Sequence, residues 1–415
     1  MNFKKILYWT LLVIIILVLI CQIPAVNYRL GWRIDGAIAF LRGVVDPIGD
    51  LPKPNSQISD NLSPIPPPTQ TMTAVNPTEK PIVIEMTPTM ASSPTALPNV
   101  VGIDSIEWER QDWNNCGPAT ISMYLNFYGW EGDQFSVSDL IKPERVDRNV
   151  NVEELVHYTR NYAGWLNTIV RVGGNIELLK TFIANGIPVM IEEGDLVEEL
   201  YWPNDDQWTG HYLLLTGYDD NADFFVAQDS FRGPDREVSF EKTDERWEAY
   251  NRVYILIYPP AKEELVKQIL ADDWDEETNR VSALLQTEEE TKENPDNAFA
   301  WFNLGSNLVF YERYEEAAQA YDMARSIGIP QRMLRYQFGP FFAYFHANRN
   351  DELQTIIDYA LRITDNSEEA LLWRGWLLYR QGDQFGAVNA FREAYAANIN
   401  SLDAQYALDF MGAIP

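Results

Sequence analysis

The chain has 415 residues, 46% of them hydrophobic and 13% aromatic, enough apolar material for more than one packed domain. A formal net charge of −29 repels phosphates, which excludes nucleic acid as a partner and disfavours anionic lipid contact over most of the surface. Two cysteines, Cys21 and Cys116, are too few for a disulfide framework or a Cys-rich zinc site, and no metal or organic cofactor is expected.

Lys4 and Lys5 precede an uncharged apolar run, Ile6 to Ile23. At about 18 residues it is just long enough to span a hydrocarbon core. No small-x-small site closes the run, and Ile20 before Cys21 is too large for a lipoprotein signal. Residues 1–24 are therefore expected to be a transmembrane signal anchor and not a cleaved peptide. The lysines place the N-terminus in the cytoplasm and the rest of the chain outside the cell membrane, with Arg29 and Arg33 weakening that rule. Residues 25–45 mix Trp32, Ile34, Ile38, Phe40 and Leu41 with Arg29, Arg33 and Arg42, the pattern of an amphipathic juxtamembrane helix. From 46 to 100 Pro, Thr, Ser and Asn dominate, as in Pro64-Ile65-Pro66-Pro67-Pro68. Such a stretch cannot bury a core and is expected to be a disordered linker, a stalk holding the folded part off the membrane.

Residues 101–260 read as helices first and strands afterwards. Cys116-Gly117-Pro118 suits a sharp turn with proline at the start of a helix, which Ala119, Met123, Leu125 and Phe127 continue to Gly129. A second helix follows Asn151, a plausible N-cap, and carries His157 on its surface. Strands are expected at 168–172, 188–192, 212–216, 224–227 and 252–258, which makes an α+β domain with a cleft between its halves. The acidic and aromatic stretch from Glu192 to Trp208 reads as a long loop walling that cleft.

A cysteine at a helix N-terminus faces unpaired N–H groups and the positive end of the dipole, both of which favour the thiolate. Thiolates attack acyl carbons, so Cys116 is the candidate nucleophile. It needs a base. His211 opens the apolar run Tyr212 to Thr216, and Asp229 ends the next strand, Phe224 to Ala227. Adjacent strands can set the two side by side, with the carboxylate fixing the imidazole's tautomer; Asp219 and Asp220 are lesser candidates. Gln111, just upstream of Cys116, can offer its amide to an oxyanion together with the Cys116 N–H.

The order Gln-x4-Cys-Gly-Pro-Ala, then Gly-His-Tyr on a strand, then an aspartate ending the next strand, resembles the C39-like branch of the papain-type cysteine peptidases. The similarity runs from about Ile106 to Pro259 and includes Asn185-Gly186-Ile187-Pro188-Val189-Met190. It implies a papain-like fold, Cys116 as nucleophile, His211 as base, Asp229 as orienting residue and Gln111 as oxyanion donor. Two departures stand out. Ser230 follows the aspartate where the family often has proline, and the chain has no nucleotide-binding G-x-x-x-x-G-K-[ST] loop of the kind found in members fused to exporters.

Residues 261–415 are expected to be all-α. Trp301-x2-Leu304-Gly305, then Ala317, Ala320, Tyr321, Ala324 and Pro330, resembles a tetratricopeptide repeat. Gly375, Ala387, Ala390, Phe391 and Ala394 fall at equivalent positions two periods on. A degenerate repeat carrying His346 lies between them, and residues 263–293 are placed as capping helices. Stacked repeats offer a surface for a protein partner. The functional expectation is a membrane-anchored extracytoplasmic cysteine peptidase whose repeats recruit a peptide or protein substrate. The alternatives are an inactive papain-like domain serving as a cell-surface scaffold, and a cysteine amidase or transamidase.

Overall fold

The computed structural model describes Tyr8, Trp9, Leu12, residues 24–54 and residues 96–414. The expected anchor falls almost wholly outside the described residues, as does most of the Pro/Thr/Ser-rich stretch. No helix among the described residues is long and apolar enough to cross a membrane.

In chain order the elements begin with α1 (Pro24–Val45), an extended stretch to Pro54, and β1 (Val100–Gly102). The helical half comprises α2 (Cys116–Phe127), α3 (Gln134–Ile141) and α4 (Val152–Tyr162). Then come β2 (Asn167–Arg171), α5 (Ile176–Ala184), β3 (Val189–Leu196), β4 (Trp208–Asp219), β5 (Phe224–Asp229), β6 (Gly233–Ser239), α6 (Phe240–Glu248) and β7 (Tyr254–Tyr258). The sheet runs β2-β7-β3-β4-β5-β6, antiparallel throughout, with β1 added to the far end of β4. The result is the α+β, papain-like arrangement expected for this segment.

Helix α2, apolar nearly all round and buried from Gly117 to Leu125, packs on one face of the sheet with Met190, Tyr212 and Leu214, while α5 and the helix Glu263–Leu270 cover the other face with Val189, Ile191, Leu213 and Leu215. Tyr124 acts as a rivet. Its hydroxyl donates to the Pro188 carbonyl and accepts from the Ile257 N–H at 2.9 Å, tying α2 to β3 and β7. Gly117 sits close on β4, where an added Cβ would lie 3.3 Å from the Tyr212 ring.

Two expectations change here. The stretch Glu192 to Trp208 is not one loop: Glu192–Leu196 pairs residue by residue with Trp208–Tyr212, leaving a connection of residues 197–207 only. Acidic residues conceal this strand, which tolerates them because Arg246 pairs with Glu193 and Asp195, and Arg232 with Asp195. The last strand starts at Tyr254 and not at Arg252, because Asn251 and Arg252 both take positive φ, 52° and 47°, which breaks the extended backbone.

After Tyr258 the chain is helical: α7 (Glu263–Leu270), α8 (Glu276–Glu293), α9 (Ala298–Phe310), α10 (Tyr314–Ile327), the short α11 (Met333–Tyr336), α12 (Gly339–His346), α13 (Asn350–Ile363), α14 (Glu368–Arg380), α15 (Gln384–Ala397) and α16 (Leu402–Phe410). Gly305 of α9 lies flat against the Tyr321 ring of α10, and Gly375 of α14 against the Phe391 ring of α15. An added Cβ would meet those rings at 2.7 and 2.3 Å, so the same small-against-aromatic contact closes both helix pairs.

This helical array shares a core with the sheet domain. One continuous apolar cluster runs from Leu155, Tyr212 and Tyr250 to Phe302, Tyr321 and Trp373. Polar groups stitch the seam. Asn251 and Asn307 side chains bond at 2.8 Å, and Asn398 Nδ2 donates to the Ile141 carbonyl at 3.0 Å. Arg332, buried, donates to the Trp208 carbonyl at 2.9 Å and to Asp205 at 2.6 Å while stacking 4.2 Å over the Trp202 ring.

Acidic groups crowd one part of the seam. Glu369 accepts from the side-chain amides of Asn149 and Asn151 at 3.0 and 3.1 Å, with Glu368, Asp147 and Glu154 close by. Burial first, then repulsion from Asp147 on Glu369 and from Glu369 on Glu368, holds both above the ordinary carboxyl range. In that window the folded state binds more protons than the unfolded one. The stabilisation is therefore complete below the unfolded value near 4.5 and is lost as pH rises through neutrality. Glu369→Gln is expected to add on the order of 1 kcal/mol at pH 8 and almost nothing at pH 4. Thermal melts of parent and variant at both pH values check the sign.

Candidate active site

The site is built where α2 begins, against the middle of β4. The turn before the helix is held on several sides. Asn114 takes φ 57°, and its carbonyl accepts from the Lys142 ammonium at 3.0 Å. Gln134 Oε1 accepts from the Asp112 N–H and the Asn115 amide at 2.6 and 3.0 Å. Arg145 grips Asp112 with two nitrogens at 2.6 and 2.7 Å. Cys116 is thereby fixed as the first residue of the helix, and its N–H belongs to the group without an intrahelical acceptor. It is a free, partly exposed thiol.

The structure brings the four residues singled out from the sequence to one place. His211, buried near the start of β4, places Nε2 3.0 Å from Asp229 Oδ1 at the end of β5. The Cys116 sulfur is the ring's other electrostatic partner. Asp229 is saturated: Oδ1 accepts the Phe231 and Arg232 N–H groups, each at 2.9 Å, and Oδ2 faces Arg232 at 3.5 Å. Trp108 Nε1 donates to the Asp229 carbonyl at 2.8 Å, which anchors its backbone. Asp219 and Asp220 lie at the opposite end of β4, where Asp220 pairs with Lys180. His157 is exposed on α4, and His346 stacks on Tyr314 in the array.

The electrostatics follow from these contacts. Burial pushes the Cys116 thiol up, but the hydrogen bond and charge of His211, the Tyr212 N–H and the nearby Lys142 outweigh it and hold the thiol below its ordinary value. Burial disfavours the His211 imidazolium, yet Asp229 and the sulfur together raise it well above the usual range. For Asp229, burial is outweighed by His211 and the two backbone donors, and the carboxyl stays far below the usual range. A thiolate–imidazolium pair is the favoured state between the two titrations.

Gln111 is held by a residue that the sequence reading treated only as a departure. Ser230 donates its hydroxyl to Gln111 Oε1 at 2.9 Å, and its carbonyl accepts the Gln111 N–H, also at 2.9 Å. With its oxygen engaged by Ser230, the amide leaves Nε2 without a hydrogen-bond partner among the described residues. Gln111→Ala is expected to lower turnover by about 10²–10³-fold if Nε2 serves an oxyanion. Ser230→Ala, which only frees the amide to rotate, is expected to cost about 10-fold. Comparing kcat of the two variants checks the order. Lys142, Gln134 and Arg232 are further supports that the sequence did not signal. They act through loops, and no local spacing links them to Cys116.

No group of three or more His, Cys, Asp or Glu among the described residues could hold a metal ion. A helical half packed on an antiparallel sheet, with cysteine at a helix start and a His–Asp pair facing it from neighbouring strands, has the architecture of papain-like cysteine peptidase domains. Residues 103–255 match the Peptidase_C39 like family, so the chain carries a C39-like peptidase domain. Two solved structures are similar to it. One is a candidate C39-like peptidase from Bacillus anthracis, 16% identical, covering 39% of this chain and 98% of its own, with a TM-score of 0.31. The other is a double glycine motif protease from an AMS/PCAT transporter, solved with its leader peptide, 19% identical, covering 38% and 94%, with a TM-score of 0.29. No curated protein matches the sequence.

Proposed function

We propose that this protein is a cysteine peptidase, anchored in the cell membrane by residues 1–24, with its folded domains outside the cell. The observation that carries the reading is the hydrogen-bonded Asp229–His211 pair set against Cys116, a cysteine at a helix N-terminus. The Cys116 thiolate attacks the carbonyl carbon of a peptide bond while the Cys116 N–H and Gln111 Nε2 receive the developing oxyanion. The tetrahedral intermediate collapses, the C–N bond breaks, and the His211 imidazolium gives its proton to the leaving amine. Neutral His211 then takes a proton from water, the hydroxide displaces the thiolate, and the acid product leaves. The helical array, fused to the wall of the cleft, takes part in selecting a protein or peptide substrate.

The test is thiol reactivity against pH. Iodoacetamide is expected to alkylate Cys116 rapidly at pH 6, well below the ordinary thiol midpoint of about 8.5. His211→Ala is expected to move the profile back to that midpoint. A parent profile centred at the ordinary value would leave an inactive domain, and the function would then belong to the array. With a reactive thiol, profiling on peptides and on side-chain amides separates a peptidase from an amidase.

A further inference from the structure

Residues 46–54, Asp46-Pro47-Ile48-Gly49-Asp50-Leu51-Pro52-Lys53-Pro54, carry three prolines in nine positions, at 47, 52 and 54. They form neither helix nor ladder, so their carbonyls must find acceptor roles elsewhere. The array supplies the donors. Arg362 of α13 donates to the Pro47 carbonyl at 3.0 Å and pairs with Asp46, Tyr359 donates to the Gly49 carbonyl at 2.9 Å, and Arg325 of α10 donates to the Pro52 carbonyl at 2.7 Å. Ile48 and Leu51 are only 5% and 6% exposed. A segment whose composition cannot build a core is thus seated in one, fastened through its backbone.

The helix just before it, α1, touches both walls of the candidate cleft. On the wall carrying Cys116, Asp35 pairs with Arg148, whose guanidinium lies 5.8 Å from the Trp113 ring, three residues before the cysteine. On the wall carrying His211, Gly43 lies directly on Trp202; a Cβ at Gly43 would come 2.6 Å from the Trp202 Cβ. The eight helical steps from Asp35 to Gly43 span about 12 Å, the right order for bridging a peptide-binding cleft. The contact is loosely packed: α1 and residues 199–201 leave a groove of about 390 Å³ between them, lined by Arg33, Phe40, Leu200 and Tyr201 among others. Ile38, Leu41 and Val44 of α1 remain exposed. Loose packing with ion pairs at the ends suits a contact that can release.

We infer that residues 24–54 are a cis-acting strap, fastened by the array through residues 46–54, that lies across the candidate cleft and restricts large substrates until it lifts. This rests on the reading of Cys116 as a reactive thiol, and the experiment keeps the two apart. The full chain in detergent, in a Cys21→Ser background, is compared with a variant carrying Asp35→Ala and Arg362→Glu, two positions outside the proposed catalytic machinery. Cys116 is labelled with iodoacetamide and, separately, with a maleimide bearing a long polyethylene glycol chain, and trypsin cleavage at Arg33 and Arg42 reports whether the strap is docked. In the parent, fast labelling by the small reagent, slow labelling by the bulky one and protected trypsin sites are expected. The variant is expected to keep the small-reagent rate, expose both sites and take the bulky reagent about tenfold faster. Equal bulky-reagent rates with exposed sites would overturn the strap while leaving the thiol intact. Trypsin sites still protected in the variant would overturn the fastening. Slow labelling by the small reagent in every form would remove the thiolate reading, and the strap's role with it.

Discussion

Replacing Cys116 with serine is expected to lower peptide hydrolysis by about 10⁴-fold or more, and His211→Ala by a comparable factor. The two losses should not add. Without the imidazolium the thiol reverts to its protonated form, and without the sulfur the imidazole has nothing to activate, so the double variant should resemble either single one. The pH dependence sharpens the test. The acid limb of kcat/KM should follow loss of the thiolate as pH falls through the lowered Cys116 value, and the alkaline limb loss of the His211 proton as pH rises through its raised value. A plateau between two well-separated limbs is the expected form. Hydrolysis surviving in Cys116→Ser would place the chemistry elsewhere.

Arg332→Ala is expected to be the most damaging substitution away from the site, at about 3–5 kcal/mol of stability. The side chains of Arg332 and Asp205 are 2% and 0% exposed, so removal of the cation strands a carboxylate in the seam. Asp205 also accepts from the Tyr201 and Gln207 N–H groups, and Gln331 next door accepts from Trp202 Nε1 at 2.8 Å. Losing Arg332 therefore loosens residues 197–207 together with the start of β4 at Trp208, three residues before His211. Chemical denaturation measures the first effect, and a fall in kcat measures the second. Replacing both partners with apolar side chains, Arg332→Met with Asp205→Leu, should recover much of the stability but not the loop's hydrogen bonds. A single Arg332→Ala that melts like the parent would mean that the array is merely adjacent to the cleft wall.

Where the chain's structure was legible, a hydrophobic period or a turn residue carried the signal. The helix from Cys116 to Phe127 and the strands of the sheet interior belong to this class. The edge strand β6, Gly-Pro-Asp-Arg-Glu-Val-Ser, was not read, because a strand exposed along most of its length has no apolar face to alternate. The far half of β3 was hidden for the opposite reason: its carboxylates are buried, but against arginines that lie dozens of residues away in the sequence. At the site, the groups with chemistry of their own stood out from their neighbours. Those that only hold others in place did not. Ser230 is the clearest instance, since its hydroxyl and carbonyl matter only once β5 has delivered them to Gln111. The docking of residues 46–54 was invisible for a related reason: the array recognises their carbonyls, which every sequence has.

That docking changes what the low-complexity stretch can do. A polymer tether extends the reach of whatever it carries in proportion to roughly the square root of its length, provided that one end is free to move with the cargo. Here the carbonyls of Pro52 and Pro98 both accept from the folded body, from Arg325 and Tyr218, so the connection between them begins and ends on that body. If residues 1–24 enter the membrane as proposed, α1 alone sets the height and tilt of the cleft above it, and lengthening 55–95 should change neither. Undocking residues 24–54 would convert the same residues into a leash. Opening the cleft and extending the body's radius of search would then be a single event.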